Sequence, residues 1–429
     1  MVRQIMKGLG LVLAALLASA PVWSYSVFSH EAIVDSLWDV RIKAILLARF
    51  PAATPEQLRT AHGYALGGSI IQDIGYYPSG NKFFSDLTHY VRSGDFVTNL
   101  VAESEDLNEY AFALGALSHY ASDDNGHRLA TNRAVPLLYP KLREKFGDRV
   151  TYEDGPAAHL KTEFGFDVLE IAKGRFAPQA YHDFIGFSVS KPLLERAFRD
   201  TYSLELSELF KDLDLALGSY RHAVSETIPL ATRVAWAQRQ DEIKRSSPGI
   251  TRRRFLYHMK RSSYEKEWGK QYQRPGAWER FLALLLRLVP KIGPLQALAF
   301  HMPTPEVEKL FMSSFNVALE KYTEKLQEAR AHRLVLPDTN FDVGEPTKPG
   351  VYKMADDAYC ELLDKLAEKK FSGVGDGIRS NILAYYTNLD VPFSTKRNKK
   401  RWSHLLSELQ ALEARQAPGA QPITAGGAR

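Results

Sequence analysis

Apolar residues recur every three or four positions along most of this 429-residue chain. That spacing places them on one face of an α-helix. Few stretches alternate with the period of two that a half-buried β-strand shows. The pattern predicts an all-α protein without a sheet. The predicted helical stretches are residues 30–50, 106–121, 158–173, 203–235, 276–300, 305–331, 354–370 and 400–414.

Residues 1–24 have the three parts of a secretory signal peptide. Arg3 and Lys7 form its positive part, a short apolar run covers residues 8–17, and small residues lead to Ser24. The apolar run is too short to span a bilayer comfortably, which disfavours the alternative of a retained N-terminal anchor. We therefore expect the protein to be exported, either to the periplasm or out of the cell.

Two cleavage sites compete at the end of this segment. Cleavage after Ala20 would place Pro21 directly after the scissile bond, where a peptidase handles it poorly. Cleavage after Ser24 avoids that problem and gives a mature chain that begins at Tyr25. We favour the second site.

The rest of the chain divides by composition. Residues 25–235 hold the motifs described below, and residues 236–333 form a further helical region. Residues 334–350 are rich in Pro, Gly and Asp, which predicts a long loop, and residues 351–414 are again helical. The Ala-, Gly-, Pro- and Gln-rich residues 415–429 are expected to form a disordered tail.

Charge and cysteine content narrow the function classes. The formal net charge of +5 is mild, and loss of Arg3 and Lys7 with the signal peptide lowers it by two, so nucleic-acid binding is not indicated. Cys360 is the one cysteine, which rules out an intramolecular disulfide and makes thiolate ligation of a metal unexpected. A metal site would be built from His, Asp, Glu and backbone groups.

The strongest local motif is a ladder of polar residues at four-residue spacing. His119, Asp123 and His127 follow the apolar run 112–117 and would project from one helix face on successive turns. Gly126 is where that helix is expected to end, which would place His127 just past the last regular turn. The alternative is a polar helix face, but polar groups next to a core need partners. The ladder therefore favours a metal site.

Four weaker elements share this chemistry. Each could be an ordinary polar pair or a satisfied buried group, and their order along the chain is what carries weight. The elements are Tyr25 with His30 at the predicted mature terminus, Asp73 in an apolar glycine-rich stretch, His89, and His159 with Glu163 four residues later.

In that order the motifs resemble the zinc-dependent phospholipase C and single-strand nuclease superfamily, over roughly residues 25–235. Members begin with an aromatic residue, usually Trp, whose amino and carbonyl groups bind zinc. Tyr25 stands in that place here. The Asp123-x-x-x-His127 spacing is shorter than in the secreted phospholipases and nucleases and is similar to the glycosylphosphatidylinositol-specific phospholipase D branch. His127 is accordingly the histidine ligand that this departure puts most in doubt.

The resemblance implies a helical zinc phosphoesterase in which two or three zinc ions activate water for phosphodiester hydrolysis. It assigns Asp73, His89, His119 and Asp123 to one ion, and His127, His159 and Glu163 to a second. A third ion would take the Tyr25 amino and carbonyl groups, His30 and a bridging Asp123. Asp73 is either a ligand or the general base, and is the candidate catalytic residue.

Three functions remain open. A phospholipase C-like enzyme acting on phospholipid or another phosphodiester is favoured; the alternatives are a secreted nuclease of the same superfamily and a non-catalytic zinc-binding helical protein. Residues 251–290 mix basic and aromatic side chains before an apolar run, which suits either peripheral contact with a membrane surface, stacking on nucleic-acid bases, or an ordinary solvated face. Residues 281–300 contain Arg287, Pro290, Lys291 and Pro294 and are not a transmembrane span.

The remaining histidines noted in the sequence occur singly in helical or basic contexts. They are expected to be surface or satisfied core residues rather than ligands. These are His182, His222, His258, His301, His332 and His404.

Overall fold

A computed structural model describes residues 27–77, 79–173, 187–222 and 301–415, together with a few positions between 236 and 252. Tyr25 and the predicted signal peptide, most of the basic and aromatic stretch 251–290, and all but the first residue of the predicted tail lie outside the described residues. The all-α prediction is confirmed within them.

The described residues between 27 and 222 form twelve α-helices. They are α1 (Val27–Leu37), α2 (Lys43–Arg49), α3 (Pro55–Gly68), α4 (Lys82–Tyr90), α5 (Ser93–Glu103), α6 (Leu107–Gly126), α7 (Asn132–Leu138), α8 (Pro140–Phe146), α9 (Pro156–Lys173), α10 (Lys191–Tyr202), α11 (Leu206–Leu209) and α12 (Leu213–His222). Wide π-type turns cover Trp38–Ile42 and His127–Thr131, and a tight 3₁₀ turn covers Ile71–Tyr76.

Four further α-helices lie in the described residues 301–415: α13 (Pro305–Arg330), α14 (Lys353–Glu368), α15 (Asp376–Tyr385) and α16 (Lys399–Glu413), with a 3₁₀ turn at Ser394–Arg397. The predicted loop 334–350 contains a minimal antiparallel pair, β1 (Thr339–Asn340) and β2 (Glu345–Pro346). Gly344 turns between them with a φ of +63°, and a Cβ there would lie 2.4 Å from the Asp124 carbonyl oxygen. This turn can therefore rest on the end of α6 because it carries glycine.

The helices that carry the polar motifs begin at side-chain caps. The Asn81 side chain accepts from the amides of Phe83 and Phe84 at the start of α4. The Asp106 side chain accepts from the amides of Asn108 and Glu109 at the start of α6. Such caps satisfy amides that have no partner within the helix.

The backbones of α3 and α6 meet directly. A Cβ on Gly115 of α6 would lie 2.0 Å from the Ala65 carbonyl oxygen, and one on Gly68 of α3 would lie 2.0 Å from the Phe112 carbonyl oxygen. Two glycines facing opposite backbones permit this approach. It brings the end of α3 beside His119, one turn after Gly115.

The C-terminal helices share one hydrophobic core with the N-terminal ones, which runs from Val27 to Leu412. Tyr322 of α13 donates to the Leu114 carbonyl of α6 at 2.9 Å, and Phe311 of α13 stacks on Phe166 of α9 at 3.9 Å between ring centroids. None of the helices in the described residues combines the length and apolarity that a membrane crossing requires.

Candidate metal centre

The four-residue ladder lies where α6 ends. His119 and Asp123 are fully buried on α6, with His119 Nε2 3.1 Å from Asp123 Oδ2. α6 ends at Gly126, as the sequence predicts, and His127 begins the wide turn. Its Nε2 lies 3.9 Å from Asp123 Oδ1. His119, Asp123 and His127 therefore project from the same side, although the α-helix changes to a π-type turn at His127.

Asp73 and His89 complete the first group. Asp73 lies in the 3₁₀ turn Ile71–Tyr76, and His89 lies in the last turn of α4. His89 Nε2 is 3.2 Å from Asp73 Oδ1 and 3.5 Å from Asp123 Oδ2. Asp73, His89, His119 and Asp123 all offer a ligand atom within 4.8 Å of one another, and all are buried.

A second group of ligand atoms comes from α9 and the wide turn. His159 and Glu163 lie one turn apart on α9, with His159 Nε2 3.0 Å from Glu163 Oε1. His127 Nε2 is 3.4 Å from the same oxygen. These three buried residues again lie within 4.8 Å of one another, which is the grouping implied by the resemblance. His127, the histidine most in doubt from its spacing, is among them.

His30 approaches Asp123 from α1. Its Nε2 is 3.4 Å from Asp123 Oδ1, and its ring stacks on His119 at 4.4 Å. Asp123 Oδ2 therefore faces His119 and His89, while Oδ1 faces His30 and His127. This is the geometry that a carboxylate shared between ions requires. Tyr25, the remaining predicted ligand, lies outside the described residues.

The rear nitrogens of three histidines bond to oxygen acceptors. Nδ1 of His89 donates to the Ser85 carbonyl at 2.8 Å, and Nδ1 of His119 donates to the Ser69 carbonyl at 2.9 Å. Nδ1 of His127 bonds to Asp342 Oδ1 at 3.1 Å. A carbonyl can only accept, so Nδ1 of His89 and of His119 carries a hydrogen and Nε2 can present a lone pair to an ion.

The donor set fits bound zinc. Both oxygens of Asp123 and of Glu163, Asp73 Oδ1, and Nε2 of His89, His119 and His159 are buried without a hydrogen-bond partner of suitable geometry in the described residues. Buried polar atoms without partners are costly. Here they converge in two compact groups of imidazole and carboxylate, the ligand types that suit zinc.

The buried acids and histidines of the site shift one another's pKa values. Burial opposes the charge on Asp123, but His119, His127 and His30 together hold its pKa well below the ordinary value. Burial opposes protonation of His89 too, yet its contacts with Asp123 and Asp73 raise its pKa to about 10. Burial, with His119 alongside, lowers the pKa of His30 to about 3. Without metal, protonated His89 partly offsets the carboxylates, and bound cations would replace that proton.

The sequence motifs do not identify Asp167 and Asp342, two buried acids that lie close to candidate ligands. Asp167 accepts from the Phe28 amide at 3.1 Å and from the Ser29 hydroxyl at 2.7 Å, and so anchors the start of α1 beside His30. Its position four residues after Glu163 continues the α9 ladder and could have revealed it. Asp342 bonds to His127 from 215 residues away, and no spacing rule connects the two.

A third group of possible ligands is less buried than the other two. Asp364 of α14 lies near His404 and Glu408 of α16. Arg401 already forms an ion pair with Asp364, and the His404 side chain is 59% exposed. This matches the expectation for His404 as a surface residue.

The other singly placed histidines show no such grouping where they are described. His301 packs edge-on against Tyr139 at 5.0 Å, and His332 is exposed after α13. His182, His258 and the side chain of His222 lie outside the described residues.

Residues 29–212 match the family model described as zinc dependent phospholipase C. The matched span contains every described candidate ligand, from His30 to Glu163, and excludes Asp342. Neither the curated proteins nor the solved structures give a significant match to the chain.

Proposed function

Residues 29–212 belong to the zinc-dependent phospholipase C-like superfamily, and from this premise we propose that the chain hydrolyses phosphodiesters of phospholipid type. The observation that carries the proposal is the placement of Asp123. Its Oδ2 lies 3.1 Å from His119 Nε2 in one group of buried ligand atoms, and its Oδ1 lies 3.9 Å from His127 Nε2 in the other. Closely spaced ion sites joined in this way suit phosphoryl chemistry.

The proposed division of ligands follows the geometry. Asp73, His89, His119 and Asp123 would hold one zinc ion, and His127, His159 and Glu163 a second. His30 and Asp123 would share a third with the Tyr25 amino and carbonyl groups. Zinc held there supplies Lewis acidity and lowers the pKa of a water molecule.

The protein residues orient the reacting groups and exclude water. Asp73 is proposed as the general base or as a ligand, since its Oδ1 lies 3.2 Å from His89 Nε2 and can serve in either role. The rings of Tyr76 and Tyr152 are tilted against each other at 6.4 Å, and each meets a histidine edge-on at 5.6 Å, Tyr76 with His89 and Tyr152 with His159. The two rings make an apolar wall along both ligand groups, which strengthens electrostatic interactions inside.

The decisive experiment compares substrates on purified, zinc-loaded mature protein. Phosphatidylcholine, a glycosylphosphatidylinositol anchor and single-stranded DNA would be incubated in parallel, with metal content measured by mass spectrometry. We expect two to three zinc ions per chain and hydrolysis of a lipid substrate that stops on chelation and returns with zinc. The Asp123-x-x-x-His127 spacing makes the glycosylphosphatidylinositol anchor the more informative lipid.

Other outcomes separate the alternatives. Cleavage of DNA alone would favour the secreted nuclease. Bound zinc without turnover of any substrate would favour a non-catalytic zinc-binding protein. Absence of metal after purification without chelators would contradict the whole proposal.

We extend the proposal to the mature N-terminus. Val27 is buried at the start of α1, and the Phe28 amide donates to Asp167 of α9, the helix that carries His159 and Glu163. Tyr25 precedes Val27 by two residues, which span at most about 7 Å. A free amine exposed by cleavage after Ser24 could thus reach the ion shared by His30 and Asp123.

A Met-extended protein tests this terminal ligand. The extension converts the Tyr25 amine into an amide, which is a poor ligand, so one zinc ion and much of the activity should be lost while helical content stays. N-terminal sequencing of the exported protein checks the cleavage step. A mature chain beginning at Pro21, or full zinc content in the extended form, would contradict the terminal-ligand assignment.

A further inference from the structure

Asp342 lies far from the matched family region in sequence but touches the centre in space. It sits in the turn between β1 and β2 and is 3% exposed. Its Oδ1 bonds to His127 Nδ1 at 3.1 Å. The C-terminal part of the chain therefore contributes a side chain directly behind a candidate ligand.

The carboxylate of Asp342 is held from several sides. Its Oδ2 accepts from the Tyr90 hydroxyl at 2.8 Å and from the Tyr352 hydroxyl. Its backbone is fixed as well, since its carbonyl accepts from the Asn132 side chain at 2.6 Å and its amide donates to the Asn340 side chain at 3.0 Å. With both oxygens engaged, the carboxylate has little freedom to turn away from His127.

The same loop also packs on the first ligand group. The Phe341 amide donates to the His89 carbonyl at 3.2 Å, and the Phe341 ring lies 5.3 Å from the His89 ring. Asp338 accepts from the amides of Gly94 and Asp95, and so caps α5. Residues 338–347 are thus docked on α4, α5 and α6 at once, next to both ligand groups.

The partner of His127 Nδ1 comes from a more distant part of the chain than those of His89 and His119. His89 and His119 are oriented by backbone carbonyls of Ser85 and Ser69, which belong to the same N-terminal region. The Nδ1 of His127 is oriented by a side chain that arrives from the C-terminal part. When Asp342 holds Nδ1, the Nε2 atom faces Glu163 at 3.4 Å.

We propose that Asp342 is a positioning residue that orients His127 towards the zinc ion held with His159 and Glu163, so that the docked loop 338–347 is part of the metal centre. The proposal rests on the proposed function for the identity of the ion. A carboxylate behind a ligating histidine fixes its ring and raises its basicity. Loss of such a partner lowers metal affinity by about 10–100-fold.

The test replaces Asp342 by Asn in the full chain and measures zinc stoichiometry and affinity by calorimetric titration. Asp342→Asn keeps the side-chain volume but removes the charge behind His127. We expect one class of zinc site to weaken by about 10–100-fold while the others keep their affinity. The visible spectrum of the cobalt-substituted protein should change for the same site, and kcat should fall more than KM rises.

Asp356→Asn is the matched control. Asp356 is equally buried in the same C-terminal part and accepts from the Tyr385 hydroxyl at 2.7 Å and from the Gly350 and Ser394 amides. It has no contact with a candidate ligand among those found in the described residues. Asp356→Asn should lower stability without changing zinc affinity or the cobalt spectrum.

The outcomes are distinguishable. If wild-type protein binds no zinc, the proposed function fails. If wild-type protein binds zinc and Asp342→Asn binds it equally well, the positioning role is overturned and the proposed function stands. Should Asp342→Asn fail to fold, Tyr352→Phe removes one donor to the carboxylate; a fall in affinity for one zinc site supports the role, and unchanged affinity overturns it.

Discussion

At the scale of single residues, Asp123 is the acid that most of the candidate histidine ligands approach. Three histidines approach its two oxygens within 3.5 Å, from α1, α4 and α6. The imidazoles of His119, His127 and His30 hold its pKa well below the ordinary value despite complete burial. A change of charge at Asp123 would therefore remove the anion that the imidazole nitrogens of His30, His89 and His119 face.

Asp123→Asn should therefore lose zinc and activity together. The amide keeps the shape of the side chain but removes the charge that faces both ligand groups, so we expect zinc affinity to fall by more than about 100-fold. His30→Ala should be milder, because it removes one ligand of one proposed ion. Zinc content by mass spectrometry and turnover check both variants. Near-normal zinc and turnover in Asp123→Asn would contradict the bridging role.

At the scale of helices, the α3–α6 contact sets where His119 lies. Ser69, directly after α3, orients His119 through its carbonyl, and Gly115 lets α6 approach α3 one turn earlier. The distance between the α3 and α6 backbones therefore helps to set the position and orientation of the His119 ring. Substitutions in this contact should affect stability and zinc binding together.

Gly115→Ala tests that coupling. Its Cβ would lie 2.0 Å from the Ala65 carbonyl oxygen, so the helices must separate. We expect a loss of about 1–3 kcal/mol in unfolding free energy from overpacking, with weaker zinc binding at the group containing His119. Gly375→Ala is the control, because the nearest atom to its Cβ is Ser203 Oγ at 3.8 Å. Denaturant titration and zinc titration give both readouts, and equal stability of the two variants would refute the packing argument.

The contact between α14 and α16 should give stability a pH dependence. Burial and the neighbouring Asp364 raise the pKa of Glu408 to about 8, although Arg401 opposes the shift. Because the folded pKa exceeds the unfolded value, the folded state holds a proton that the unfolded state has released. Stability is therefore lost as pH rises from about 5 through 8.

Glu408→Gln should remove this loss, since the amide resembles the protonated acid. The variant should gain stability over wild type between pH 5 and pH 8.5 in denaturant titrations. Glu413→Gln on the exposed face of α16 is the control and should follow the wild-type pH dependence. A parallel pH dependence of Glu408→Gln and wild type would show that Glu408 is not the titrating group.

At the scale of the whole molecule, the candidate metal centre lies within a core that both parts of the chain build. α6 and α9 carry candidate ligands, and α13 packs on both through Tyr322 and Phe311. Loop 338–347 closes over the ends of α4 and α6. Metal binding should consequently stabilise the C-terminal helices as well as the matched family region.

Chelation should therefore lower the stability of the entire fold. A ligand present at a thousandfold excess over its Kd stabilises by about 4 kcal/mol, which for a chain of this size corresponds to roughly 5 °C in Tm. Calorimetry with and without chelator measures the shift, and hydrogen exchange locates it. Amides of α14 should lose protection along with those of α6. Protection lost in α6 alone would contradict coupling through the shared core.

The local features of this molecule could be predicted from the sequence because helical geometry is local. Four-residue spacing already placed His119 with Asp123 and His159 with Glu163, and apolar periodicity predicted α13 nearly to its ends. The first two ligand groups also follow the division implied by the resemblance. The role of Tyr25 stays a prediction.

Only the tertiary structure decided how the pieces meet. The two oxygens of Asp123 face different helices, Asp167 reaches back to α1, and Asp342 arrives behind His127 across 215 residues. Such contacts depend on how helices pack and where a glycine lets backbones touch, and no periodicity along the chain records that. Local spacing determines which side chains lie on the same face of a helix. Long-range packing determines which of these faces meet to form a candidate metal site.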